Sequence, residues 1–444
     1  MLSALVIIAP AQFTHVDDVA SPASIKLNRE RGLNMLGEIK DVLKQRYYDK
    51  NFRGIDLDAR FKTATQRIKQ LDTNWQIFRA IAQVLIEFND SHTRFIPPRR
   101  ANRVEYGFSM QMIGNSCYVV DVKKGSDAEK KGLRVGDVIS AVGQFQPTRE
   151  NLWKMEYILY ALDPIEILRL SILNPDGSER DIEIRATFKS IDERRKESEK
   201  RQKEKQEKPF KCQSLNSEVI ACKLLTFSVD KKYVDQMMKE VSKHKKLVLD
   251  LRGNGGGYVK IEEYLTGHFF DHDIKIADFV TRDKTKERIA KTQKGKVFNG
   301  ELVVLIDSDS ASASEVFSRT VQIQRRGKVV GDVSAGAVMT SNFITIANSR
   351  GVPGYETLSF FGVNVTVADL IMSDGKRLEG VGVIPDVLIG PTAKALLQGS
   401  DPILSYAAGL LGANISPDEA GRYYFLTKKP EDEEKDSDEG DGDF

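Results

Sequence analysis

A serine stands at residue 312 where an apolar segment gives way to a helical pattern, in the run Ile306-Asp307-Ser308-Asp309-Ser310-Ala311-Ser312-Ala313-Ser314-Glu315. The feeding segment, Leu302 to Ile306, is short and wholly apolar and reads as buried sheet; Val316, Phe317, Thr320 and Val321 recur behind it at helical spacing. A hydroxyl at such a junction has backbone amides and the positive end of a helix dipole beside it, which suits a nucleophile whose attack creates an oxyanion. The plain alternative is an N-cap serine opening a helix. A serine nucleophile needs a base with a pKa near 7, and histidine is the side chain with that pKa unperturbed. There are five histidines: His15 in the apolar start, His244 in the basic run Lys243 to Lys246, His268 and His272 around a Phe-Phe-Asp turn, and His92. His268 and His272 have i, i+4 spacing but no HExxH context, so no metal is expected. His92 by itself reads as a surface histidine at a helix exit.

A second chemical feature is the glycine run Gly253-Asn254-Gly255-Gly256-Gly257, which follows the apolar segment Leu247 to Leu251. Glycines let backbone approach a ligand closely and leave amides exposed. The amide of Gly255 or Gly256, together with that of Ala313, would make an oxyanion hole. A phosphate cradle is the weaker reading, because no Lys-Ser or Lys-Thr follows the run. Asp250 and Arg252 read as an ion pair bracing the loop.

Four stretches in order resemble the tail-specific proteases, also called C-terminal processing peptidases: Asn89-Asp90-Ser91-His92-Thr93, Asp250 to Gly257, the serine run around Ser312, and Leu378-Glu379-Gly380-Val381-Gly382-Val383-Ile384-Pro385-Asp386. By that resemblance Ser312 is the nucleophile. The lysine that serves this family as base is missing: after Val329-Val330-Gly331-Asp332 the chain continues to Ala337 at the lysine's place. The motifs are closer to the tricorn branch, which implies His92 as base, with Ser91 and Glu379 as the partners that polarise it. A catalytically silent binding protein, as in retinoid-binding relatives of this fold, is the rival that the Ala337 departure supports. A PDZ scaffold that holds tails without cutting is a second.

These residues need elements to position them. Residues 26–102 read as an N-terminal helical part ending on the His92 motif. The stretch from Tyr106 through Cys117-Tyr118-Val119-Val120 to Gly136-Asp137-Val138-Ile139 looks like a PDZ domain over 103–188; Tyr106, Gly107, Phe108 and Ser109 match its carboxylate-binding loop. A charged linker (189–209), a catalytic part (210–395), a C-terminal helical segment (396–429) and an acidic, disordered tail (430–444) complete the chain. The fold implied by the resemblance is α/β, a mixed-sheet catalytic domain of the ClpP/crotonase-like type with the PDZ module inserted. At 444 residues the chain suits two or three cores.

Residues 1–25 read as a signal-like segment with lead-in, because Met1 to Ala11 is apolar and ends small-x-small, too short to span a membrane. Cys212 and Cys222 face each other across an expected hairpin, as a disulfide in an oxidising compartment or as a reduced pair; Cys117 reads as free and buried. The acids of the 189–209 linker largely offset its bases, so no nucleic-acid partner is expected, and the balance of 66 basic against 64 acidic residues adds no partner information. The expectation is an exported, periplasmic or secreted, serine endopeptidase acting on unstructured or C-terminally recognised proteins, with no cofactor and no metal. Homo-oligomerisation is left open.

Overall fold

The computed structural model describes residues 22–98, 102–174, 177–190, 209–348 and 359–423, with residues 193, 195, 196 and 199 between them. Most of the signal-like start, most of the charged linker and the whole acidic tail lie outside the described residues.

Helices α1 (Pro22–Arg46), α2 (Leu57–Ile68) and α3 (Asn74–Ile86) lead into strand β1 (Arg94–Ile96). Leu36, Ile39 and Leu43 of α1 and Ile77, Phe78, Ile81 and Leu85 of α3 recur at helical spacing, and all are buried in one cluster. Asp56 caps α2, and Thr73 with Gln76 forms a capping box on α3, so both helices start where a side chain takes up their orphan amides.

An insertion follows: β2 (Phe108–Ile113), β3 (Ser116–Val122), β4 (Val138–Val142), helix α4 (Leu152–Tyr157), β5 (Ile167–Leu173) and β6 (Glu179–Arg185). Its five strands make an antiparallel sheet in sequence order with a core of its own, including Val119, Leu168, Leu170 and Ile172. The insertion is closed at its base by Asn102–Glu105 pairing antiparallel with Thr187–Ser190.

The largest core surrounds β7 (Phe210–Ser214), β8 (Val219–Leu224), α5 (Lys231–Val241), β9 (Lys246–Asp250), α6 (Val259–Thr266), β10 (Ile274–Thr281), β11 (Thr285–Ala290), β12 (Glu301–Ile306), α7 (Ala313–Ile323) and β13 (Lys328–Gly331). The chain then adds β14 (Thr340–Asn348), β15 (Ser359–Met372), β16 (Val387–Leu388) and helix α8 (Pro402–Leu410). One sheet runs β16-β13-β12-β9-β8-β7, parallel except for the edge strand β7. Its inner strands β8, β9 and β12 are buried on both faces, between α5, α6 and α7 on one side and α8 on the other, which is why they read as largely apolar runs. The second sheet runs β1-β15-β10-β11, with β14 also on β15, so β1 carries the N-terminal helices onto the catalytic part.

Cys212 and Cys222 are direct cross-strand partners on β7 and β8 and are joined as a disulfide. Cys117 is free and buried. Among the described residues no helix is long and apolar enough to cross a membrane.

Candidate active site

The parallel strands β9 and β12 pair side by side, and each ends in a loop at the same edge of the sheet: the glycine run after β9 and the serine run after β12. Asn254 joins the two loops. Its side-chain amide donates to Leu224 O at 2.9 Å, its backbone carbonyl accepts from Ala311 N at 3.1 Å and Ser314 Oγ at 2.8 Å, and its Oδ1 accepts from Gly256 N at 2.9 Å. Asp307 adds a second tie, accepting from Gly253 N at 2.9 Å.

Ser312 sits at the N-cap of α7 with φ 55° and ψ −115°, a backbone conformation that side-chain-bearing residues rarely adopt and that costs on the order of 1–3 kcal/mol. The surrounding contacts hold it there. A Cβ on Gly256 would lie 2.7 Å from Ser312 Cβ and 2.9 Å from Ala311 O, so only glycine lets the two loops meet. The Ser312 amide donates to Glu315 Oε2 at 2.9 Å. Glu315, fully buried, also accepts from Ser334 Oγ at 2.6 Å, Gly336 N at 2.7 Å and Ala337 N at 2.9 Å. Burial pushes its pKa up to about 7 against the pull of these donors.

The histidine turn lies between α3 and β1. Asp90 organises it, accepting from His92 N at 3.0 Å, Thr93 N at 2.6 Å, Tyr47 OH at 2.9 Å and Thr366 Oγ1 at 2.9 Å. His92 is therefore not a surface histidine: its turn is bonded at once to Tyr47, just past the end of α1, and to Thr366 on β15. Ser91 Oγ lies 2.6 Å from His92 Nδ1 and 3.1 Å from Glu379 Oε2, and Ser91 N donates to Glu379 Oε1 at 2.6 Å. Glu379 further accepts from Val338 N at 3.1 Å and Met339 N at 3.3 Å. Burial lowers the pKa of His92 and raises that of Glu379.

The segment 332–339 joins the two halves, since Gly336 and Ala337 donate to Glu315 while Val338 and Met339 donate to Glu379. Its start is gripped by the insertion: Asp332 accepts from Gly114 N at 2.8 Å and pairs with Arg149. Ser91, His92 and Glu379 thus form one hydrogen-bonded chain. Ser312 is linked to it through backbone, and among the described residues its hydroxyl makes no hydrogen bond to His92. Ala337, where the family lysine would stand, contributes an amide.

The Gly256 amide is engaged by Asn254 Oδ1, which leaves Gly255 N and Ala313 N as the free donors at this edge. In the insertion, Tyr106 and Phe108 are core residues, and the Tyr106 hydroxyl is spent on Ile165 O at 2.9 Å. The Gly107 carbonyl accepts from Lys123 N and Ser126 Oγ, and of the four positions Ser109 alone is exposed. Glu315, Asp90 and Arg94 had no role assigned from sequence. The Ser-x-x-Glu spacing of 312 and 315, a capping-box pattern, was the available signal for the first. Asp250 and Arg252 do pair, at 2.7 Å, but Arg252 also binds Asp401 at the start of α8 at 2.7 Å. His268 bonds Tyr264 O and His272 bonds Asp271; no cluster of three metal-ligating side chains occurs among the described residues.

Residues 219–389 match the model of peptidase family S41. This stretch is a peptidase family S41 domain. The S41 domain contains Ser312, the glycine loop and Glu379, whereas Ser91 and His92 lie outside it and join it through the contacts above. The chain is 24% identical over 374 residues to the chloroplastic C-terminal processing peptidase of Tetradesmus obliquus, covering 78% of this chain and 74% of that protein. It is 26% identical over 352 residues to the tail-specific protease of Haemophilus influenzae, covering 73% of this chain and only 49% of that protein. In fold it resembles mature CPAF complexed with lactacystin, with a TM-score of 0.62, 13% identity, and 84% of this chain and 96% of that chain covered. The α/β fold is that of S41 proteases, and the S41 domain is a serine-type peptidase domain.

Proposed function

We propose that the chain is a serine endopeptidase in which Ser312 is the nucleophile and His92 its base. The hydrogen-bonded chain Glu379–Ser91–His92 carries this reading. For His92 Nε2 to accept a proton, Nδ1 must carry one and donate it to Ser91 Oγ, which in turn donates to the Glu379 carboxylate; this fixes the tautomer as the aspartate of a Ser-His-Asp triad would. His92 takes the Ser312 proton as Oγ attacks the peptide carbonyl, and the oxyanion accepts from Gly255 N and Ala313 N. The imidazolium then protonates the leaving amine, and water hydrolyses the acyl-enzyme by the same steps in reverse. The missing Ser312–His92 hydrogen bond fits a site that tightens when substrate arrives.

The inserted sheet is read as a PDZ domain that presents β2 to an extended peptide through backbone, since the Tyr106 and Phe108 side chains are buried. Substrates are exported, unstructured or C-terminally recognised proteins; the Cys212–Cys222 disulfide supports an oxidising compartment.

A second reading, a protease-fold binding protein, draws on Ala337 and on the absent Ser312–His92 bond. Cleavage of an unfolded protein by wild type, Ser312→Ala, His92→Ala and Ala337→Lys, with fluorophosphonate labelling alongside, separates the two. Loss of activity in both alanine variants is expected. Full activity in His92→Ala with a dead Ser312→Ala moves the base elsewhere, and a wild type that neither cuts nor labels is a binder.

A further inference from the structure

Arg94 is the first residue of β1 and stands two residues after His92. Its Nη2 donates to Ser91 O at 2.6 Å, and its guanidinium carbon lies 4.5 Å from the centre of the Trp153 ring, on α4 of the insertion. The next residue repeats the connection, because the Tyr157 hydroxyl, also on α4, donates to Phe95 O. Arg94 Nε is buried and has no hydrogen-bond partner among the described residues. A half-buried guanidinium whose buried Nε–H finds no partner is costly, and stacking on an indole face offsets part of that cost. A charge kept at such a cost beside the base points to a role in the site.

We infer that Arg94 is a positioning residue for His92: clamped against Trp153, it holds the Ser91 carbonyl so that Ser91 Oγ stays between His92 Nδ1 and Glu379, and it couples the base to the inserted domain. The inference rests on His92 being the base. Electrostatics add to the geometry. From its own turn His92 faces Asp90 and Ser91, from β1 it faces Arg94, and from the 378–386 loop Glu379 reaches it through Ser91; Tyr157 of α4 bears on Arg94. Burial is the main cause of the lowered His92 pKa, Asp90 opposes it, and the Arg94 charge assists it by disfavouring the imidazolium. Arg94 therefore helps keep His92 neutral and able to accept a proton.

The test uses full-length Arg94→Gln, Arg94→Lys and Trp153→Ala, read by kcat, KM and pH profile, and by NMR titration of the imidazole-labelled protein with the other histidines as controls. Arg94→Gln is expected to lower kcat about tenfold or more, as loss of an outer-shell orienter does, with KM little changed. It should also move the His92 titration and the acid limb of kcat/KM to higher pH. Arg94→Lys keeps the charge but loses the planar fork, so kcat falls while the titration stays. Trp153→Ala should lower kcat with the fold intact by thermal melt. Wild-type kcat and an unmoved His92 titration in Arg94→Gln overturn the inference. Equal losses in Arg94→Gln and Arg94→Lys with unmoved titrations in both also overturn it, as they would mark a structural role alone. If Arg94→Gln does not fold, unchanged kcat in both other variants overturns it. Because the titration needs no turnover, a chain that never cuts fails the endopeptidase reading without deciding the Arg94 contact.

Discussion

At the scale of single residues, the site turns on what each buried group is allowed to be. In the proposed mechanism His92 must be neutral to act, and burial lowers its pKa from the ordinary 6.5. A base with a lowered pKa stays deprotonated further into acid, so the acid limb of kcat/KM is expected below pH 6.5. A steady-state pH profile measures this, and a limb at or above 6.5 would show that another group titrates. Ser91→Ala in the same assay should cut kcat about ten- to hundredfold, as loss of an orienting partner does, because Nδ1 then lacks its link to Glu379. The residue types proposed for this chemistry stand out in the sequence: the serine run, the histidine, the glycines and the late glutamate. The resemblance already grouped Ser91 and Glu379 with His92, but which atoms bond could not be read from residues 288 positions apart.

At the scale of elements, the proposed catalysis requires two loops from neighbouring parallel strands to meet without a side chain between them. Gly256 has φ +94°, and a methyl group there would press on Ser312 Cβ and on the Ala311 carbonyl. Gly256→Ala is expected to displace the nucleophile and lower kcat about a hundredfold, while costing about 1–3 kcal/mol of stability. A kinetic assay paired with a urea melt checks both, and an active Gly256→Ala would mean the loops can part without harm. The strands were readable from their apolar runs and α7 from its helical spacing. The meeting of the two loops was expected from the oxyanion-hole reading of the glycines with Ala313, but not the contacts that hold them, because sequence patterns report burial and period rather than which groups share a sheet edge.

At the scale of the whole molecule, three non-contiguous parts hold the site. The N-terminal helices deliver His92, the S41 domain delivers Ser312 and Glu379, and the insertion grips both through Trp153–Arg94 and Arg149–Asp332. The C-terminal segment adds a further brace: Asp401 caps α8 and binds Arg252, which is 1% exposed, right before the glycine loop. Removing one partner of a fully buried charge group leaves the other uncompensated, so Asp401→Ala is expected to cost about 3–5 kcal/mol. Chemical denaturation measures it, and a change under about 1 kcal/mol would show that Asp250 alone suffices for Arg252.

The α/β fold with an inserted module was what the family resemblance implied; what the sequence determined by itself was the inventory: buried strands, helical stretches, a serine at a strand–helix junction, a glycine loop, and no lysine at position 337. Period and composition encode these because a buried strand must be apolar and a tight loop must have glycine. Only the tertiary structure decided the assignments. It placed His92 on the Ser91–Glu379 chain, engaged the Gly256 amide with Asn254, gave Glu315 four donors, and buried Tyr106 and Phe108 in the core of the insertion. Each of these is a pairing between distant segments, and a hydrogen-bonding group carries no mark in the sequence of the partner that will satisfy it.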